Sequence, residues 1–527
     1  MLADAGKPLN REHWTIHASL CLSFPSPPPD DNSKFDIVSS LRRAWQVLRL
    51  QHPALGATIN ESDGEVPRLT VALRDIDAWA DTTFTVIHDC HSAIELFSSL
   101  HSTPTATCYW IPSSSELVIR SSHWRIDGVG MAMLCHDYMT ALASTMRHDR
   151  QLGSSVFSER ISADTPSYEL ESPLEILARG SARLHSSPIE NPLPLKEEPM
   201  TEENENPILG SLADALVSEF LRGTPSIGLP TRPWPPSAGE PMSKEASTTA
   251  VPGPSQTVFR KLDPTSTARV RQWCRTRGMK LASAVHAAIV RVTATFPQHP
   301  LSSGCYAAFV PVDLRSVLDA SVTRKDASQN RNKTAGLYFS GLPVRVDSAV
   351  AATGGEGPGG HVDKRKGFDA VARDLDAVYG CDLLRFRESP DHSTLGKATD
   401  SKAESSEEQK YISLLDLAEP YVQRTTRLFD APVPEGFPPV QTPDLSTLGR
   451  VETYLQNQYG SPEHGAVEVS KFWFGTEMLN RSVQFHTWGW RDEFHLGACF
   501  NTRFYEKEFV EDVVRKVVEE VLAECSI

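Results

Sequence analysis

The chain has 527 residues, 40% of them hydrophobic, which is more than one ordinary core accommodates, so two packed units are expected. Its 52 basic and 67 acidic residues leave a formal charge of −15, which excludes the basic face of a nucleic-acid binder and obliges any anionic ligand to find a local cluster of cations. No run reaches the roughly 20 apolar residues of a membrane span, the first residues lack a signal peptide's charged and apolar regions, and the nine cysteines are scattered without a CxxC pair. The expectation is a cytoplasmic protein with reduced thiols, no zinc site and no membrane or nucleic-acid partner.

Trp14–Phe24 predicts a strand. After the prolines of 25–29, the spacing of Ile37, Leu41, Trp45 and Leu48 predicts a helix over about 33–50 that ends at His52-Pro53. Thr107–Ile111 and Glu116–Arg120, parted by Pro112-Ser-Ser-Ser115, predict two more strands. Met131, Leu134, Tyr138 and Leu142 then recur at helical spacing over Val129–Met146. These elements form an expected N-terminal α/β unit, residues 1–185. Residues 186–254, rich in proline and acids, predict a linker with one helix near Ile208–Leu221, and the proline-rich stretch 225–254 is expected to join no core.

A second unit is expected over 255–527. It opens with the strand Thr257–Leu262 and a helix with Asp263 as N-cap and Pro264 in its first turn. Lys280–Thr295 is apolar nearly all round and predicts a buried helix. Cys305–Val310 predicts a buried strand running into Pro311-Val-Asp-Leu-Arg315, and Ala335–Phe339 with Leu342–Val346 a strand pair. Residues 351–366 and 389–409 read as loops by composition. Val483–Trp488 and Glu493–Phe500 predict a hairpin, and Phe509, Val513, Val517 and Val521 a closing helix over 505–522.

Between the strand ending at Arg120 and the helix from Val129 lies Ser122-His-Trp-Arg-Ile-Asp-Gly128. A hydroxyl or amine nucleophile needs a base with a pKa near 7 within hydrogen-bond reach, and His123 at a strand-to-helix elbow supplies one. Asp127 lies too close along the chain for a sure contact with the same substrate, and Gly128 permits a sharp turn there, so an orienting role suits Asp127 better. The spacing alone does not separate this reading from a histidine satisfied in the core. Arg125 could face a phosphate or solvent, His136 and Asp137 read as helix-surface residues, and Arg324, Lys325, Arg331 and Lys333 form a loose basic cluster.

HWRIDG in the first half, a buried helix followed by VPVDLR in the second, and a WG-containing strand near the C-terminus together resemble the CoA-dependent acyltransferase superfamily. Its members include chloramphenicol acetyltransferase, the plant BAHD enzymes and the condensation domains of peptide synthetases. The length and the tail HTWGWRDEFHLGACFNTRFYEKEFVEDVV are most similar to fungal secondary-metabolite O-acetyltransferases of the trichothecene 15-O-acetyltransferase group. The resemblance implies an α/β fold of two chloramphenicol-acetyltransferase-like subdomains in a V with a tunnel between them.

It further implies His123 as general base, and Asp127 as a catalytic-motif carboxylate that pairs with an arginine, for which Arg315 is the candidate. Gly128 and Arg315 then support the site, while His486, Thr487 and Trp488 are candidates for the tunnel wall. The implied co-substrate is acyl-CoA, with no permanently bound cofactor and no metal, and the acceptor is a small molecule served by a monomer. Condensation domains carry a second histidine where this chain has Ser122, and plant enzymes carry DFGWG where it has Thr487-Trp-Gly-Trp490. The oxyanion donor is therefore open among Thr487, Ser470 and a main-chain N–H. A condensation-like catalyst that uses a carrier-protein-bound acyl donor or forms an amide, and a non-catalytic binding or scaffold protein of the same fold, are the alternatives.

Overall fold

In a computed structural model, the described residues are 11–24, 36–60, 68–71, 75–155, 205–232, 251–317, 335–349, 366–381, 383, 412–431, 437, 439–461 and 465–525. In chain order the first elements are β1 (Ile16–Ser23), α1 (Ile37–Gln51), β2 (Ala57–Asn60), β3 (Arg68–Val71), α2 (Ile76–Thr83), β4 (Phe84–Val86), α3 (Ala93–Phe97), β5 (Thr107–Ile111), β6 (Glu116–Ser121) and α4 (Gly128–Ser155). Then follow α5 (Pro207–Leu221), β7 (Ser255–Leu262), α6 (Pro264–Thr276), α7 (Leu281–Thr293), β8 (Tyr306–Asp313), β9 (Phe339–Val346), α8 (Phe368–Tyr379) and α9 (Ala418–Asp430). The chain closes with β10 (Asp444–Arg450), β11 (Gln458–Tyr459), β12 (Val467–Thr476), β13 (Gln484–Trp490), β14 (Glu493–Asn501) and α10 (Lys507–Glu524). The long polar stretches 186–204, 351–365 and 389–409, and the cluster Arg324 to Lys333, lie outside the described residues.

Two sheets organise the molecule. The first has the order β11-β12-β1-β6-β5-β4, so two strands from late in the chain complete the sheet that carries the motif. β1 is central, pairing antiparallel with β6 on one side and β12 on the other, and Ile16 lies opposite both Ser121 and Thr476. Helices α1 and α4 supply Leu41, Trp45, Met131, Tyr138 and Leu142 to a core shared with Ile16, Ala18, Leu20, Leu117 and Ile119. Asp36 starts α1 by accepting hydrogen bonds from the main-chain N–H groups of Val38 and Ser39.

The second sheet is β10-β13-β14-β7, covered by the core that α7, α8 and α10 share with β8 and β9. Asp263 caps α6 through the N–H groups of Thr265 and Ser266 at 2.9 and 3.0 Å, and Pro264 costs nothing in the first turn, where its missing N–H would have no partner. The architecture is mixed α/β with two sheet-centred cores, as the sequence implies.

Three expectations are corrected. Residues 335–338 form no strand; β9 is one strand that returns antiparallel to β8. Part of the proline-rich stretch does join a core: Ile227 and Leu229 are fully buried, and their N–H groups donate to the carbonyls of Cys305 and Gln441. The first strand starts at Ile16, because Trp14 holds a left-handed φ of 64°.

Candidate active site

The motif sits where β6 ends and α4 begins, and the main chain of the second half closes over it. Asp127 is buried and turned toward that closure. Arg315 Nη1 and Nη2 donate to its two carboxylate oxygens at 3.1 Å each, a forked pair. Gly130 N–H and Tyr338 N–H donate to the same carboxylate at 2.6 Å. Arg315 also donates to the carbonyl of Gly336 at 3.1 Å and to Asp313 at 2.9 Å. Burial works against the Arg315 charge, but Asp127 and Asp313 more than offset it, so the guanidinium is held more firmly protonated than usual.

Two glycines permit this closure through their size. A Cβ at Gly130 would stand 2.7 Å from the Gly336 carbonyl oxygen, and one at Gly128 would stand 2.7 Å from Leu448 Cδ2. Neither glycine has a left-handed φ, so the expected reason for Gly128, freedom to turn sharply, gives way to close packing.

His123 is half-buried, its ring 5.1 Å from that of Phe339 and 6.2 Å from that of Trp14. Burial lowers its pKa below the ordinary imidazole value, against the opposing pull of its own main-chain carbonyl and of Asp127. The ring is thus neutral at pH 7 and able to accept a proton.

The rest of the shell comes from the lead into β1 and from the ends of β12 and β13. His13 and Trp14 stack with centroids 4.8 Å apart, and the Leu479 N–H donates to His13 Nδ1 at 3.1 Å. His486 is buried, edge to face with Phe474 and 3.0 Å from the Thr476 hydroxyl. Burial first, then the neighbouring His123, lowers both His13 and His486 to about 3, so neither competes with His123 for a proton at neutral pH. Ser122 donates to Glu12 at 2.7 Å. The Trp14 indole N–H is buried with no partner among the described residues. A buried donor without a partner costs about 1–3 kcal/mol, and a left-handed non-glycine residue costs a similar amount.

A cavity of about 1080 Å³ opens in the second half and reaches Val129, one residue past the motif. Leu448, Thr487, Trp488 and Gly489 form one wall, and Arg271, Arg275, Lys280 and Arg450 bring four cations to its lining. Asp313 is the single carboxylate of that lining among the described residues. In a chain with a formal charge of −15, such a concentration of positive charge favours an anionic occupant.

Comparison with known proteins agrees with this arrangement. The trichothecene 15-O-acetyltransferase TRI3 of Fusarium sporotrichioides superposes with a TM-score of 0.65 at 15% identity, over 97% of this chain and 91% of its own. The first condensation domain of the CDA synthetase superposes with a TM-score of 0.53 at 12% identity, over 100% and 97%. By fold, the chain is similar to the trichothecene 15-O-acetyltransferase and to a peptide-synthetase condensation domain. Acetyltransferase pigO of Monascus ruber is 22% identical over 96% of this chain and 89% of its own length. The loline biosynthesis cluster 1 transcription factor lolU1 of Epichloe uncinata is 27% identical over 93% and 86%. No family model matches the chain.

Within this fold, several residues singled out by the sequence are redistributed. Thr487 and Trp488 line the cavity, whereas His486 is packed on Phe474 and Thr476 and is not part of that lining. Ser470 donates its hydroxyl to the Cys21 carbonyl and is committed to the sheet. Arg125 faces neither phosphate nor solvent. It is buried, donating to the carbonyls of Ala57 and Pro104 at 2.8 and 3.2 Å. Asp137 is likewise buried, 2.9 Å from His52 Nε2, and His136 Nδ1 lies 2.8 Å from the Tyr459 hydroxyl. His13, Trp14 and Phe339 escape a reading of the sequence because nothing local marks them; they reach His123 only through the pairing of β1 with β6 and the return of the chain into β9.

Proposed function

We propose that this protein is an acyl-CoA-dependent O-acyltransferase that moves an acyl group, acetyl in the first instance, to a hydroxyl of a secondary metabolite. The carrying observation is the division of labour in the motif: Asp127 is spent on Arg315, Gly130 and Tyr338, while His123 is left beside them with a ring that burial keeps neutral. The acetyltransferases among the relatives and the cation-lined cavity beside Val129 support the same reading. All nine cysteines are free thiols, in keeping with action in the cytoplasm.

In this mechanism His123 Nε2 takes the hydroxyl proton as the oxygen attacks the thioester carbonyl. The C–O bond forms, the carbonyl π pair moves to oxygen, and collapse of the tetrahedral species breaks the C–S bond. The imidazolium then returns its proton to the leaving thiolate, so no covalent enzyme intermediate arises. Asp127 and Arg315 act as positioning residues that hold the elbow.

The test is thiol release from acetyl-CoA by the purified protein, alone and with a panel of hydroxylated polyketides, terpenoids and alkaloids. Wild type is expected to turn over, and His123→Ala to lose on the order of 10²–10⁴ in kcat. Turnover confined to carrier-bound acyl groups would replace this reading with the condensation-like one. Absence of CoA binding together with an unaffected His123→Ala variant would end the enzyme reading.

A further inference from the structure

Resting on the acyl-transfer reading, we infer that Trp14 is a catalytic residue whose indole N–H donates to the thioester oxygen as it becomes an oxyanion. Three observations on one residue carry this. Its Nε1–H is buried without a partner among the described residues. Its ring lies 6.2 Å from that of His123, centroid to centroid, so the donor sits on a ring next to the base. Its backbone is held at a φ of 64°, a conformation that bulky side chains rarely adopt, at the point where the chain enters β1.

The surroundings maintain that conformation. The Trp14 N–H donates to the Glu477 carbonyl at 2.7 Å, and the Leu479 N–H fixes the His13 ring on which the indole stacks. Both anchors come from the segment just after β12, which itself pairs with β1. The donor is therefore oriented before any substrate arrives, which is the requirement for stabilising a charge that exists only in the transition state.

The chemistry of the group fits the role. An indole N–H donates only, and unlike an imidazole it neither titrates near neutrality nor accepts the proton that His123 must receive. With water as nucleophile, Nε2 of His123 removes a proton while the new C–O bond forms. The carbonyl electrons move to the oxygen facing Trp14, and their return expels the thiolate, which takes the proton from His123. The products are acetate and CoA, so the step can be followed without knowledge of the acceptor.

The experiment compares wild type, Trp14→Phe, Trp14→His and His123→Ala in acetyl-CoA hydrolysis, with melting temperature measured for each. Trp14→Phe keeps a ring and removes the N–H; it is expected to lose on the order of 10²-fold in kcat, with KM for acetyl-CoA within about threefold. Trp14→His restores an N–H on a residue that adopts left-handed φ more readily; assayed at about pH 8, where a free imidazole is neutral, it is expected to regain at least tenfold over the phenylalanine variant. Trp14→Phe within about fivefold of wild type overturns the inference, as does Trp14→His no better than Trp14→Phe. Should Trp14→Phe fail to fold, Trp14→His decides alone: a kcat within about tenfold of wild type supports the donor and a larger loss overturns it. Loss of activity in His123→Ala with full activity in Trp14→Phe would sink this assignment and leave the acyl-transfer reading standing; unchanged hydrolysis in His123→Ala would sink the reading itself.

Discussion

A single imidazole does the proton work proposed here, and its environment sets the pH range in which it can. Burial lowers the His123 pKa, so in the folded protein the ring stays neutral to a lower pH than a free imidazole, whose pKa is about 6.5. A base must be unprotonated to act. The acid limb of kcat/KM should therefore fall with an apparent pKa below about 6.5. A limb above 7 would mean that a charged partner, not burial, governs this ring. His13 and His486 add a stability effect in the same direction, since both fall to about 3 on folding. The unfolded chain binds protons at these sites between pH 6.5 and about 3 and the folded chain does not, so stability drops as pH falls through that window. The activity limb and the denaturation midpoint should therefore decline over overlapping ranges, and the pH–rate profile needs to be taken at temperatures well below unfolding.

At the scale of elements, the strand–motif–helix order around His123 was legible from the sequence because each piece is local: alternating or helical apolar spacing, a turn composition, a cap. The same holds for α6, whose Asp263-Pro264 start stands in the sequence as it does in the fold. What surrounds the motif was not legible, because it is assembled by pairing. Nothing in Trp14-Thr-Ile-His or in Tyr338-Phe339 reveals that one lies beside the end of β6 and the other on Asp127; those contacts follow from the register of β1 with β6 and β12 and from the chain's return into β9. Arg315 was reachable only through a family resemblance, and Ile227 and Leu229 were hidden by proline-rich neighbours. The docking of 335–339 onto the elbow depends on Gly130, where an added Cβ would lie 2.7 Å from the Gly336 oxygen and 2.9 Å from Ile126 Cγ1. Gly130→Ala should cost about 1–3 kcal/mol, as overpacking does, and should lower kcat by displacing the N–H groups that hold Asp127. A denaturant midpoint and activity both equal to wild type would show that this segment is not rigidly docked.

Across the whole molecule, charge and cavity point the same way. The chain is acidic overall, yet Arg271, Arg275, Lys280 and Arg450 converge on a cavity of about 1080 Å³ that reaches the residue after the motif. Arg271 and Arg450 hold their acidic neighbours at a distance, Asp492 at 3.9 Å from each and Glu452 at 3.7 Å from Arg450, so their side chains can also meet a ligand. On the acyl-CoA reading these cations meet the phosphates of the cofactor while the thioester end lies toward His123. The acyl thioester of N-acetylcysteamine, which carries the thioester but no phosphate, separates the two ends. Arg271→Glu with Arg275→Glu should raise KM for acetyl-CoA about tenfold or more, the loss expected when charge-assisted contacts become repulsive, and should leave kcat/KM for the truncated thioester unchanged. The wild-type KM for acetyl-CoA should also rise with salt, because contacts at an open mouth are screened. An equal loss for both donors would place the phosphates elsewhere and make these arginines supports of the cavity wall, since only a contact with the phosphates distinguishes the full cofactor from its tip.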